Sequence, residues 1–375
     1  MTLRMMALCA PLLLVGACGP ATASPSGPVK PADLAQALAG AKCGKTINLA
    51  EGEFGDVSVE GGGCTSPLVL TSADPAKPAV LRTLRIGGAG VTVKDLRVAY
   101  TPDARSASFS CVVSIDGARD VTLSGLKIIG GGAVTGVPET ATQGDNTGNV
   151  MGLPTGRGIC IQGSQDVTVS DSEVARFHRG ILVNKSTKVT LRKNDIHDMR
   201  TTAIVGAQVS DLTIDGNWLH DAHPWRWGQT PVGDHADFLA LWSNKGQPEP
   251  NARVVVTGNK FEQADGKSIL GMWFQGSESA PFTDAVISNN TFLLANLQGI
   301  ALWNTKGVTI EGNTMLRTGD EPKQAPGILL RDGVTGAMMT GNRLNLIDDK
   351  SGGSNKDKGN EMLSGDRNLA AKFKK

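Results

Sequence analysis

Short strings of alternating apolar and polar residues recur along the chain, and each closes in a similar way. Aligned on their last residue, they read Val91-Thr-Val-Lys-Asp-Leu96, Val121-Thr-Leu-Ser-Gly-Leu126, Val167-Thr-Val-Ser-Asp-Ser172, Val189-Thr-Leu-Arg-Lys-Asn194, Leu212-Thr-Ile-Asp-Gly-Asn217, Val254-Val-Val-Thr-Gly-Asn259, Ala285-Val-Ile-Ser-Asn-Asn290, Val308-Thr-Ile-Glu-Gly-Asn313 and Ala337-Met-Met-Thr-Gly-Asn342. Such alternation marks strands with one buried face. The step is 22 residues from Ser172 to Asn194, 23 from Asn194 to Asn217 and 23 from Asn290 to Asn313. Elsewhere it stretches to about 30–46 residues, as expected of insertions between repeats. An Asn at a turn bonds nearby backbone, tolerates a left-handed conformation and stacks on the same residue one coil away. The asparagines are therefore expected to form turn ladders.

A second string occupies the next face of each coil. Its copies are Gly158-Ile-Cys-Ile-Gln162, Gly180-Ile-Leu-Val-Asn184, Ala203-Ile-Val-Gly-Ala207, Phe238-Leu-Ala-Leu-Trp242, Ile269-Leu-Gly-Met-Trp273, Gly299-Ile-Ala-Leu-Trp303 and Gly327-Ile-Leu-Leu-Arg331. The second and fourth residues are expected to point inward, and the first, third and fifth outward. Strand units at this period predict an all-β solenoid, a right-handed parallel β-helix over residues 31–348. Pro31 to Gly40 predicts an amphipathic capping helix, started by Pro and stopped by Gly. Residues 349–375 read as a polar tail.

Composition agrees with repetition: 47 of 375 residues are Gly and 4% are aromatic. The net charge of +1 gives no electrostatic reason to expect nucleic acid or an anionic membrane as partner. Residues 1–18 read as a signal peptide, with Arg4 before an apolar Met5–Val15 and small residues before Cys18. Val15-Gly16-Ala17-Cys18 resembles a bacterial lipobox, which implies lipid on Cys18 as the only membrane contact. Residues 19–30 then form a flexible tether. The expected location is the periplasm or outer membrane as a lipoprotein, and otherwise secretion; a monomer is expected. Cys43, Cys64, Cys111 and Cys160 remain in an oxidising compartment. Cys43–Cys64 with Cys111–Cys160 is the preferred pairing among three possible ones.

The opening Leu34-Ala-Gln-Ala-Leu-Ala-Gly-Ala-Lys-Cys-Gly-Lys-Thr-Ile-Asn-Leu-Ala-Glu-Gly52, followed by strands ending in Asn turns, resembles the pectate-lyase-like β-helix superfamily. It is most similar to the start of alginate-lyase and chondroitinase-B-type polysaccharide lyases. The resemblance spans roughly residues 31–345 and implies the fold and an acidic polysaccharide as substrate. The Lys and Arg motifs of the alginate-lyase-like families are absent. Asp234-His235-Ala236-Asp237 is similar in composition to the Asp-Pro-His-Asp motif of mannuronan epimerases but differently ordered, and the sole Tyr, Tyr100, lies several coils away.

The segment from Leu219 to Phe238 interrupts the repeat with an insertion of nearly one coil, and holds His220, His223 and His235. Solenoids place binding faces on such insertions. Just before the second string stand Arg157, Arg179, Thr202 with Arg200, Asp237 with His235, Ser268 with Lys267, and Gln298. Coils stack roughly 4.8 Å apart, so Arg179, Arg200, His235, Asp237 and Lys267 are expected to cluster. This mixture suits β-elimination from a uronic acid. His235 would take the C5 proton, held by Asp237, while Arg179, Arg200 and Lys267 bind carboxylates. All six Trp fall within residues 218–303. Trp242, Trp273 and Trp303 are expected to form one outward ladder for pyranose rings, with His220 and Gln298 adding substrate contacts.

Asp234 and Asp237 are conceivable calcium ligands, but no Gly-Gly-x-Gly-x-Asp array accompanies them, so no metal or cofactor is expected. The leading expectation is a polysaccharide lyase. Alternatives on the same face are a hydrolase using Asp237 and Asp265, a uronate C5-epimerase and a non-catalytic glycan-binding solenoid.

Overall fold

The computed structural model describes residues 27–41, 43–63, 65–101, 110–131, 154–224, 234–243 and 251–371. Cys18 with the leader, most of the tether, Cys64, Trp225 and Trp227 lie outside the described residues. Alternation becomes strand wherever the repeat is regular. In one coil a strand runs Arg179–Arg192, turns at Lys193 and Asn194, and continues as Asp195–His197. Its inward residues Ile181, Val183, Val189, Leu191 and Ile196 are at most 1% exposed. Each such side chain contributes about 1.5–3 kcal/mol by leaving water. Parallel pairing repeats this coil on the next, with Ile181 beside Ile204, Val189 beside Leu212 and Ile196 beside Leu219.

The result is a 20-stranded parallel sheet carrying both strand strings, an 11-stranded parallel sheet on the remaining side, and a two-stranded patch at Phe282–Thr283 and Thr305–Lys306. The apolar core fills the space between the sheets and includes Phe261 stacked on Phe292 at 4.6 Å.

The asparagines do form a ladder, through Asn194, Asn217, Asn259, Asn290, Asn313, Asn342 and Asn360. The backbone N–H of each donates to the Oδ1 of the next at 2.7–3.0 Å, and its Nδ2 donates to the same oxygen at 2.8–3.0 Å. The left-handed residue is the one before the ladder Asn, with φ 62–65° at Gly216, Gly258, Gly312 and Gly341. This is why the turns read Gly-Asn.

Three details depart from expectation. The first residue of the second string faces inward, because the chain bends as it enters the strand. A Cβ on Gly158 would lie 2.6 Å from Val174, and Phe238 at the same place is 1% exposed against Phe261. The capping helix is short, Leu34–Ala39 after a 3-10 turn Pro31–Asp33, and buries Leu34 and Ala37 on the first coil. At the other end the solenoid runs past residue 348. Lys356–Lys358 pairs with Met338–Thr340, and Glu361–Met362 pairs with Arg343–Leu344. A last coil buries little, so its strands lack the apolar alternation that marks the others. Cys111 and Cys160 form a disulfide between neighbouring coils, with Cα atoms 5.9 Å apart.

Candidate active site

Register decides which side chains meet. Arg157 pairs with Arg179, and extending the pairing of Ile181 with Ile204 and of Ile204 with Leu239 sets Thr202 beside both Arg179 and Asp237. Asp237 then pairs with Leu270, which lies opposite Gln298. One column on the outside of the long sheet therefore carries Arg157, Arg179, Thr202, Asp237, Leu270 and Gln298. The neighbouring outward column is apolar, with Leu182, Val205, Ala240, Trp273 and Ala301 in succession.

At the centre, the ring of His235 is half exposed and its Nδ1 lies 3.2 Å from Oδ2 of Asp237, whose side chain is 3% exposed. Burial pushes the Asp237 carboxyl up, and the contact with His235 only partly opposes it. The same contact holds His235 above its ordinary value against burial and the charge of Arg179. Both shifts have one meaning: the pair keeps a proton to higher pH than its members would alone. The His235 ring also approaches Trp273, 5.9 Å between centroids, and Trp303 meets Trp273 edge-on at 6.2 Å.

Three coils before Asp237, burial and the charge of Arg179 pull Arg157 down to about 10. Like charges stacked in register and partly withdrawn from water favour an anion between or upon them. Among the described residues, Arg157 Nε, Asn184 Oδ1 and Asp237 Oδ1 are buried and find no hydrogen-bond partner. Buried polar atoms in this state cost about 1–3 kcal/mol each unless something pairs with them, and all three stand on this face.

Several expected members are elsewhere. Arg200 is 0% exposed and grips Asp234 with two hydrogen bonds, Nε to Oδ2 at 2.8 Å and Nη2 to Oδ1 at 3.0 Å. It is a buried structural cation, not a surface group for carboxylates. Lys267 is exposed on the turn before Leu270, its N–H bonded to the Ala222 carbonyl, and stands outside the column because Leu270, not Ser268, pairs with Asp237. Asp265 is exposed on the same turn, its N–H donating to Asp221.

His220 belongs to the 11-stranded sheet, where it bonds Asp195 and Asp221, and stacks between Trp218 at 3.8 Å and His197 at 4.9 Å. The Trp ladder is staggered. Trp242 pairs with Gln275 and Gln275 with Trp303, while Trp273 stands two residues earlier between Ala240 and Ala301. Those small neighbours leave room for the indole. Arg157, placed in the column by its sequence position but given no role there, is the residue the geometry adds.

Residues 110–270 match the model of a family described as a right handed beta helix region. The chain is a right-handed parallel β-helix. Among solved structures, the Dettilon tailspike protein is similar with a TM-score of 0.56 at 12% identity, over 86% of this chain and 62% of the tailspike. The β-helix described here thus spans about three fifths of that protein's length, and the likeness is one of fold. The alginate lyase from Paenibacillus sp. str. FPU-7 is similar at 0.40 and 15% identity, over 88% of this chain and 97% of the lyase. PfbA, a surface adhesin of Streptococcus pneumoniae, gives 0.49 and 13%, over 88% and 86%. Comparison with curated proteins finds no match.

Proposed function

We propose that this β-helix binds an acidic polysaccharide on the outer face of its long sheet and cleaves it by β-elimination. The observation that carries the reading is the pair of stacked, half-buried arginines, Arg157 and Arg179, on the same column as the His235–Asp237 pair. In this scheme the arginines neutralise the uronate carboxylate, which lowers the cost of forming a carbanion at C5. Asp237 accepts a hydrogen bond from His235 Nδ1–H and so leaves Nε2 as the base. The C5–H bond breaks, the C4–C5 double bond forms, and the C4–oxygen bond breaks with water supplying the proton to the leaving sugar. Trp273 and Trp303 offer apolar surface to neighbouring pyranose rings.

Hydrolysis needs a second carboxylate, and the column through Asp237 holds none among the described residues. Epimerisation shares the proton abstraction and differs in leaving no double bond. The test is ultraviolet absorbance of the new double bond on a panel of alginate, pectate, glycosaminoglycans and bacterial acidic polysaccharides, with His235→Ala and Arg157→Ala as controls. A rise lost in His235→Ala supports the lyase. Tight binding without a rise moves the assignment to an epimerase or a glycan-binding solenoid. We also propose export and lipid attachment at Cys18, which labelled fatty acid incorporation and its loss in Cys18→Ser would test.

A further inference from the structure

The insertion that delivers His235 is held at both ends. At its start, His220 bonds Asp221, and His223 lies 3.2 Å from Asp198 of the preceding coil. At its end stands Asp234, the residue immediately before His235, with its carboxylate in the fork of Arg200 and both side chains 0% exposed. Arg200 is itself fixed to the preceding coil. Its N–H donates to the Phe177 carbonyl at 2.8 Å, and Thr201 donates through N–H and Oγ1 to the His178 carbonyl at 2.9 and 2.6 Å.

A buried ion pair is a poor source of stability, since desolvation takes back most of the Coulombic gain. What a bidentate Arg–carboxylate pair supplies is geometry, because two parallel bonds fix both position and orientation. Three residues beyond the clamped Asp234, Asp237 is already in sheet register with Leu270. His235 therefore lies in the two-residue stretch between two anchors, the Asp234 clamp and the sheet register of Asp237.

We propose that Arg200 is a positioning residue for His235: its fork on Asp234 fixes the backbone that aims the half-exposed imidazole at Asp237 and at the outer face of the sheet. The consequence for turnover rests on the lyase reading above; the positioning itself does not.

The experiment follows the His235 imidazole by NMR in the full chain, assigned with His235→Gln, as pH is varied. Asp237, Arg179 and Trp273 are the groups that face it. Two variants are compared with the parent. Arg200→Lys keeps the charge and loses the fork. The double variant R200M/D234L removes both charges of the pair together. Folded variants whose His235 midpoint moves down to that of an exposed histidine support the proposal. Where a polysaccharide is cleaved, kcat should also fall about a hundredfold, the scale of a misplaced catalytic group, with KM unchanged.

A folded variant that titrates as the parent does overturns it. Failure of both variants to fold overturns it as well, assigning the pair a structural role alone. If no polysaccharide is cleaved and the midpoint still follows the variants, the lyase reading falls and the positioning role stands.

Discussion

Replacing Asn259 by Ala tests whether the asparagine ladder carries stability. Asn259 is 1% exposed and its side chain takes part in five hydrogen bonds. Its Oδ1 accepts from the backbone N–H and the Nδ2 of Asn217, both at 2.9 Å. Its Nδ2 donates to the carbonyls of Ile214 and Thr257 and to Asn290 Oδ1. In the Ala variant the Asn217 N–H and one Nδ2 hydrogen lose their acceptor where water cannot reach. At about 1–3 kcal/mol for each buried orphan, the loss is about 2–6 kcal/mol.

Urea unfolding at constant slope measures it. Asn360→Ala, at the partly exposed end of the same ladder, should cost less than half as much, because solvent can replace the Asn360 oxygen. A loss at Asn259 within about 0.5 kcal/mol, the range of an ordinary surface change, would refute the idea that the ladder is energetic.

His220 gives the fold a pH dependence. Burial lowers its pKa, yet the hydrogen bonds to Asp195 and Asp221 outweigh burial and leave it raised. The stabilisation is therefore complete below the unfolded value of about 6.5 and is lost as pH rises through the folded value. The thermal midpoint of the parent should fall across that window, and His220→Gln should flatten the curve. For activity, kcat/KM should climb as His235 loses its proton. Because Asp237 holds His235 up, Asp237→Asn should move that limb to lower pH; a pH–rate profile with an unmoved limb would remove Asp237 from the scheme. Replacing Cys111 and Cys160 by Ser opens a crosslink spanning 49 residues. Loop entropy sets the loss at about 4 kcal/mol at most, read from the urea midpoint; an unchanged midpoint would contradict the entropic account.

Much of the scaffold was visible in the chain because a solenoid repeats its physics. The period-2 alternation and the Gly-Asn turns located nearly every coil, and the ladder follows from them. Errors arose where an insertion broke the count. The sequence pattern sets Ile269 with Gly158, Gly180 and Gly299, but Gly271 is the residue that takes their place, with its Cβ position against Phe292 and Leu294. The shift of two residues put Trp273 in the wrong column and brought Lys267 to a site it does not reach. Arg200 looked like a surface cation because its partner, Asp234, lies 34 residues away across the insertion. No local pattern announces such a pair. Arg157 and Arg179 were legible as column mates, whereas their mutual repulsion depends on burial and emerges only in three dimensions.

Parallel strands that stack coil on coil have the same hydrogen-bond geometry as an amyloid fibril, and a solenoid is in that sense a fibril cut to a fixed length. The cut faces are what a cell has to manage, because each presents a template for another chain. Here the helix Leu34–Ala39 lies over the first coil, while the strand Lys356–Lys358 of the last is exposed along its whole length with a charge at every position, and Glu361 follows. Adding a second molecule at that end would bury those charges against a new neighbour. The polar sequence that hid the final coil from a reading of alternation thus also makes its exposed strand a poor template for another strand.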